Sequence, residues 1–183
     1  GKEYPIHKRR NDSLDNPDEI LFDVNPMAEG HSYYKLGGIS VSPDNKLSCF
    51  GVDNVSRRIF TIQVKNLETG EIFDDKIENT TGGSVWAADN QTFFYTRKDE
   101  ALRAYQIWKH KLGTPTTEDK LVFEEKDDTF SVYVYKSKSR DFIIIGSSST
   151  VSDEYRFISA NEPEAKFKIF QERERDLEYS IEH

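Results

Sequence analysis

One block of this chain occurs twice at a spacing of 45 residues: Ser42-Pro43-Asp44-Asn45-Lys46-Leu47-Ser48-Cys49-Phe50 returns as Ala87-Ala88-Asp89-Asn90-Gln91-Thr92-Phe93-Phe94-Tyr95. The register holds beyond the turn, with Arg58 falling on Arg103, Phe60 on Tyr105 and Leu67 on Leu112. A period of roughly 40 to 50 residues built from short strands and polar turns is the mark of a β-propeller blade, four antiparallel strands around a central channel. The chain therefore reads as a series of blades rather than as one large core.

Each repeat has a mechanical reading. Gly38 to Val41 runs into Ser-Pro-Asp-Asn, where Pro presets φ for the first central turn position and Asp and Asn tolerate the conformations that follow. Leu47 to Val52 reads as the second strand. Arg58 to Leu67 is the third, with Ile59, Thr61, Gln63 and Lys65 alternating against Phe60, Ile62, Val64 and Asn66. After Glu68-Thr69-Gly70 the outermost strand is Glu71 to Ile77. The second repeat gives Ser84 to Ala87, Thr92 to Arg97, Ala104 to Leu112 and Lys120 to Glu125, and a worn third gives Thr129 to Tyr135, Asp141 to Ser147, Glu154 to Ser159 and Ala165 to Gln171. At the ends, Lys2 to Arg10 and Glu19 to Val24 look like the outer half of another blade, and Leu177 to Glu182 like the first strand of a further one.

The expectation is an all-β partial β-propeller, about three four-stranded antiparallel blades plus fragments of two more. All of 1–183 belongs to one propeller domain, divided at 1–36, 37–80, 81–127, 128–174 and 175–183. Three blades and two fragments do not close a ring, and ring closure is what removes exposed strand edges. The sequence is thus read as a piece of a longer protein, whose open blade faces favour self-association of the piece.

With 36% hydrophobic and 13% aromatic residues among 183 and a mean hydropathy of −0.74, the chain can bury a thin core spread over several small sheets. A net charge of −8 argues against a nucleic-acid partner, which asks for a basic face. No stretch is long and apolar enough to span a membrane, so no membrane partner is expected. A single cysteine, Cys49, allows no internal disulfide and fits a reducing, cytoplasmic setting. A periplasmic location stays open, because a piece of a longer chain would have lost any leader.

Several strings together carry a family resemblance: Glu29-Gly30-His31-Ser32-Tyr33-Tyr34 leading into Leu36-Gly37-Gly38, the Ser-Pro-Asp-Asn turn, Ser56-Arg57-Arg58, Asn66-Leu67-Glu68-Thr69-Gly70, Val85-Trp86-Ala87, Tyr95-Thr96-Arg97-Lys98, Tyr105 to His110 with Leu112 to Pro115, and Glu124 to Thr129. In order and spacing they resemble the oligopeptidase B (protease II) branch of the prolyl oligopeptidase family, over essentially the whole chain. The resemblance implies part of a seven-bladed propeller that sits over an α/β-hydrolase domain and limits entry to short peptides. It also implies a parent serine peptidase that cleaves after Arg or Lys, with the propeller's partners being its own catalytic domain and short peptides in the channel. The segment holding Arg57 and Arg58 resembles one that faces the catalytic domain, so these two are the candidate interdomain contacts; the alternative is a solvated pair on a loop.

The catalytic half is absent from these residues. A hydrolase nucleophile elbow needs Gly-x-Ser-x-Gly, and the nearest string, Gly146-Ser147-Ser148-Ser149-Thr150, lacks the last Gly. His7, His31, His110 and His183 show no metal-ligand spacing, and Cys49, centred in a strand, reads as a small buried residue. No catalytic, metal or cofactor residue is assigned, and no cofactor is expected. Asp12 to Asp18 has carboxylates in number but lacks the EF-hand Gly and distal Glu, so it reads as a polar loop. Asn11, Asn54, Asn79 and Asn90 begin Asn-x-Ser/Thr sequons of the kind turn-rich sequences produce. Trp86, Trp108, Tyr95, Tyr105 and Phe94 recur at blade spacing and read as core rather than as a peptide-stacking set. Two functions stay open: the substrate-gating propeller of a serine oligopeptidase, and a freestanding propeller-like module that binds a protein partner without enzymatic role.

Overall fold

The computed structural model describes residues 3–10 and 12–183. Strands β1 (Ile6–Arg10) and β2 (Asp18–Asp23) form a separate two-stranded sheet. A short helix, α1 (Val24–Met27), follows, its first turn capped by the Asp23 side chain accepting from the Asn25 N–H at 3.1 Å. Seven strands then form one antiparallel sheet in chain order: β3 (Lys35–Val41), β4 (Leu47–Asp53), β5 (Phe60–Asn66), β6 (Ile72–Trp86), β7 (Thr92–Lys98), β8 (Ala104–Lys111) and β9 (Lys120–Glu124). A last sheet holds β10 (Ser131–Lys136), β11 (Phe142–Ser148), β12 (Asp153–Ser159) and β13 (Lys168–Ile169).

The hairpin between the first two strands of a blade is built the same way three times. Ser42, Ala87 and Ser137 donate N–H to Leu47, Thr92 and Phe142 at 2.9, 2.8 and 3.0 Å. Asn45, Asn90 and Arg140 occupy the left-handed region at φ 62°, 58° and 68°. Asn takes that conformation at little cost and Arg does not; in the first and third copies the Ser42 and Ser137 hydroxyls support the turn by accepting from the Leu47 and Phe142 N–H at 3.0 and 3.1 Å. The turns also join neighbouring blades: the Asn90 side chain accepts from the Asp44 N–H at 2.9 Å, and Ala88 N–H donates to the Ala160 carbonyl at 2.8 Å.

Strand β6 is where two expected strands, Glu71 to Ile77 and Ser84 to Ala87, turn out to be one of 15 residues. Its first half pairs with β5 as the outer edge of one blade, and its second half pairs with β7 as the inner strand of the next. The bend falls at Gly82, φ +90°, where three backbones meet: a Cβ on Gly38 would lie 1.8 Å from the Gly82 carbonyl oxygen, and one on Gly51 2.6 Å from the Gly82 Cα. Only glycine permits this approach. The core follows the blades, with Cys49, Ile62, Val64, Ile77, Trp86, Phe93 and Tyr95 in one cluster and Ala87, Phe94, Ile107, Val132, Ile143, Ile145, Ile158 and Ala160 in the next.

Four expected strands change. The first begins at Ile6 rather than Lys2, which lies outside the described residues. The third strand of the first whole blade starts at Phe60, because Arg58 sits at φ 57° and cannot extend a ladder. Ala165 to Gln171 shrinks to Lys168–Ile169, since Ala165 N–H closes a turn onto the Glu162 carbonyl. Leu177 to Glu182 is no strand at all. It lies against the last sheet through scattered bonds, Asp153 N–H to the Leu177 carbonyl at 3.0 Å, Tyr135 hydroxyl to the Ile181 carbonyl at 2.7 Å and Lys138 N–H to Glu182 Oε1 at 2.8 Å, with no continuous ladder.

Candidate interdomain face

Antiparallel strands send their connections alternately to two ends of a blade. The Ser42–Leu47, Ala87–Thr92 and Ser137–Phe142 hairpins lie at one end. The β4–β5 and β7–β8 loops, which carry Arg57, Arg58 and Arg103, lie at the other.

The β4–β5 loop is held from beneath. Asp53, 1% exposed, accepts the N–H groups of Val55 at 3.0 Å, Arg57 at 3.5 Å and Arg58 at 2.9 Å. Ser56 and Arg58 both occupy the left-handed region, at φ 60° and 57°, a conformation that costs a non-glycine residue roughly 1–2 kcal/mol. The Lys98 ammonium, from the end of β7, donates to the Arg58 carbonyl at 2.5 Å. Burial lowers the Lys98 ammonium below its usual pKa and the charge of Arg58 adds to that, with Asp53 pulling the other way. Arg57 and Arg58 are exposed, and among the described residues neither guanidinium forms an ion pair. Arg57 and Arg58 were visible in the sequence; Asp53 and Lys98 were not, and the one signal was an Asp ending a strand just before a polar loop.

The β7–β8 loop uses the same Asp-to-loop bond and turns its arginine inward. Asp99 accepts the Arg103 N–H at 2.9 Å, and the guanidinium bonds Asp99 at 3.0 Å and the Asp127 and Phe130 carbonyls at 3.1 and 2.9 Å. The Arg103 backbone N–H holds the Asp99 carboxyl below the usual carboxylate range, burial opposes it, and the guanidinium adds to it.

The remaining candidates fall into structural roles. Ser147, fully buried, donates to Glu125, which is paired with Arg173 at 2.5 Å. Burial pushes the Glu125 carboxyl up, but Arg173 and Ser147 outweigh it and hold it low. Ser148 donates to Asp153. Among the described residues each of these hydroxyls is committed to a carboxylate rather than to an imidazole. Burial pushes the Cys49 thiol up, which makes it inert. Asp18, which ends the acidic stretch and opens β2, is claimed by Lys8 at 3.1 Å and Arg10 at 2.8 Å. Asn54 and Asn79 are exposed, Asn90 is engaged between blades, and Asn11 lies outside the described residues. Trp86, Tyr95 and Phe94 are core; Trp108 is half-buried under the Arg97 guanidinium at 4.5 Å, and Tyr105 packs beneath Arg103 at 5.5 Å.

His110 holds a network that the sequence did not disclose. Fully buried, it meets Asp119 through Nδ1 at 2.6 Å and Asp75, on β6, through Nε2 at 2.9 Å. The Tyr95 hydroxyl donates to Asp119 at 2.7 Å and the Gly113 N–H to Asp75 at 2.6 Å. Burial pushes the imidazole down, yet the two carboxylates outweigh it and raise its pKa. A carboxylate at each ring nitrogen calls for the doubly protonated ring, which ties the outer strand of one blade to the third strand of the next.

Fold and loops together define a run of antiparallel propeller blades. The family model for the prolyl oligopeptidase N-terminal β-propeller domain matches residues 1–183, and the chain belongs to that family. It is 39% identical to dipeptidyl aminopeptidase BI of Pseudoxanthomonas mexicana and 32% identical to protease 2 of Moraxella lacunata, in both cases over 100% of this chain and 27% of the relative. The solved oligopeptidase B of Leishmania major superposes with a TM-score of 0.93 at 29% identity, over 100% of this chain and 26% of that one. The chain thus spans about a quarter of the length of the relatives it matches.

Proposed function

We propose that this chain is the substrate-gating propeller portion of a serine oligopeptidase that hydrolyses short peptides after Arg or Lys. The observation that carries the reading is the whole-chain match to a peptidase propeller, including a relative named protease 2, with the chain covering 27% of that relative. The mechanism is exclusion: a narrow channel between blades admits short flexible peptides and denies folded proteins access to a catalytic triad carried outside these residues. In this reading Arg57 and Arg58 contact the catalytic domain, blades divide at 37–80, 81–127 and 128–174 with partial blades on either side, and the protein works in the cytoplasm. The matched relatives are peptidases, which favours this over a freestanding binding module.

A second reading has its own support. The 39% identical relative is named a dipeptidyl aminopeptidase, so the parent enzyme could instead remove dipeptides from a free amino terminus. The full-length protein decides between them with two fluorogenic substrates ending in Arg, one with a blocked and one with an unblocked amino group. Cleavage of the blocked substrate supports the oligopeptidase reading; cleavage of the unblocked one alone replaces it with the dipeptidyl reading; cleavage of neither contradicts both.

A further inference from the structure

His110 joins two blades asymmetrically. Its Nδ1 meets Asp119 at 2.6 Å, and Asp119, whose side chain is 0% exposed, is held within the same blade by the Tyr95 hydroxyl at 2.7 Å. Its Nε2 meets Asp75, on the outer half of β6 in the preceding blade, at the longer 2.9 Å. Asp75, unlike Asp119, lines a cleft of about 750 Å³ between the outer half of β6 and the Leu112–Thr116 turn. It also accepts the Gly113 N–H at 2.6 Å, so one carboxylate pins the turn of one blade to the outer strand of the other.

The other groups around the ring keep their charge. The Phe93 ring covers one side at 5.1 Å. Burial raises the pKa of the Tyr95 hydroxyl and Asp119 adds to that, with Arg97 pulling the other way. Burial also raises the Cys49 thiol, against a hydrogen bond from Ser84 and with help from the Asp75 charge. The imidazole is therefore the group that titrates between pH 6 and pH 9.

A neutral imidazole keeps one N–H and presents a lone pair at its other nitrogen. The shorter contact, to the enclosed Asp119, retains the proton, which leaves the Nε2 lone pair facing the Asp75 carboxylate, acceptor against acceptor. Asp119 has no space to leave, whereas the cleft beside Asp75 has room for water to solvate a displaced carboxylate. We propose that His110 is a pH-operated catch on the seam between these two blades: when it loses a proton to solvent, the Asp119 half of the bridge holds and Asp75 swings into the cleft, freeing the Leu112–Thr116 turn. The ladder of β6 with β5 stays closed, so the motion is a local opening rather than unfolding.

The test is hydrogen–deuterium exchange of the full-length protein from pH 6 to pH 9, corrected for the intrinsic pH dependence of amide exchange and read in peptides covering 111–116 and 142–148. The closed seam binds the His110 proton more tightly than the open one. Opening is therefore suppressed below the free imidazole's value of about 6.5, grows by up to about tenfold per pH unit above it, and levels off past the raised folded value. The 111–116 peptide, which carries the Gly113 amide, should show that rise, and the 142–148 peptide on β11 should not. Asp75→Asn should flatten it, because a neutral amide donates to the bare Nε2 and still accepts from Gly113. No rise in the wild type overturns the proposal, as does an equal rise in both peptides, which would mark a general loosening. A rise that survives Asp75→Asn places the release elsewhere and overturns it as well. Should Asp75→Asn fail to fold, His110→Gln decides: a rise that persists without the imidazole overturns the catch.

Discussion

Arg58 and Arg103 hold the same place in successive repeats, and the two loops spend that arginine in opposite ways. In both, an Asp at or just past the end of the second strand accepts the arginine's backbone N–H, through Asp53 at 2.9 Å and Asp99 at 2.9 Å. In the later loop the guanidinium then turns inward, bonds Asp99 and crosses to the Asp127 and Phe130 carbonyls, sealing the connection into the last sheet. In the earlier loop the positive φ at Ser56 and Arg58 turns the chain so that the guanidiniums stay in solvent. A repeat fixes where a side chain starts; local backbone conformation and the available acceptors decide whether it turns into the fold or stays in solvent.

The largest effect should come from the sheet on which both loops hang. A Cβ at Gly82 would lie 2.7 Å from the Phe60 ring, with φ at +90°, so Gly82→Ala combines a clash with backbone strain and should destabilise by more than about 4 kcal/mol. Loss of the cooperative urea transition, reported by both blades at once, is the expected result. Persistence of one blade's signal would show the two loops to be independent units.

The buried His110 bridge between the blades makes the second test. Its folded pKa is raised above the ordinary 6.5, so its stabilisation is fully present below about pH 6.5 and is lost as pH rises through the higher folded value. Urea midpoints measured from pH 6 to pH 9 should fall on the alkaline side, and that component should vanish in His110→Gln. A wild-type profile matching the variant's would remove the imidazolium bridge from the account.

Asp53→Asn and Asp99→Asn compare the two anchors directly. Asp53 is buried with three N–H donors, so its amide, whose NH2 faces at least one of those N–H groups, should cost about 1–3 kcal/mol. Asp99 is more exposed, so Asp99→Asn should move the urea midpoint less than Asp53→Asn does. The reverse order in urea denaturation would mean that the earlier loop is not held from beneath.

Much of this fold was readable in the residues. The 45-residue offset located the hairpins, and the alternation from Phe60 to Asn66 matches the buried and half-buried positions of β5. The continuity of β6 was not readable, because Gly82-Gly83 reads as a break whereas three glycine backbones packing together let the strand bend and run on. The third hairpin was obscured because Arg140 stands where the earlier copies have Asn. Leu177 to Glu182 alternates like a strand yet finds only scattered partners. At the candidate face the pair Arg57-Arg58 stood out as charge. Its supports did not, since Lys98 comes from the next blade, and the His110 network draws on Asp75, 35 residues away.

The central contrast is tested most directly by melting Arg103→Ala and Arg58→Ala side by side in this chain. Arg103→Ala removes the side-chain bond to Asp99 and the donor to the Asp127 and Phe130 carbonyls, and should lose about 2 kcal/mol. For a domain of this size that lowers Tm by roughly 4–8 °C. Arg58→Ala should stay within about 0.5 kcal/mol, a shift of no more than about 2 °C. Equal shifts from the two variants, or a larger one from Arg58→Ala, would contradict the account in which Arg103 holds the fold together while Arg58 does not.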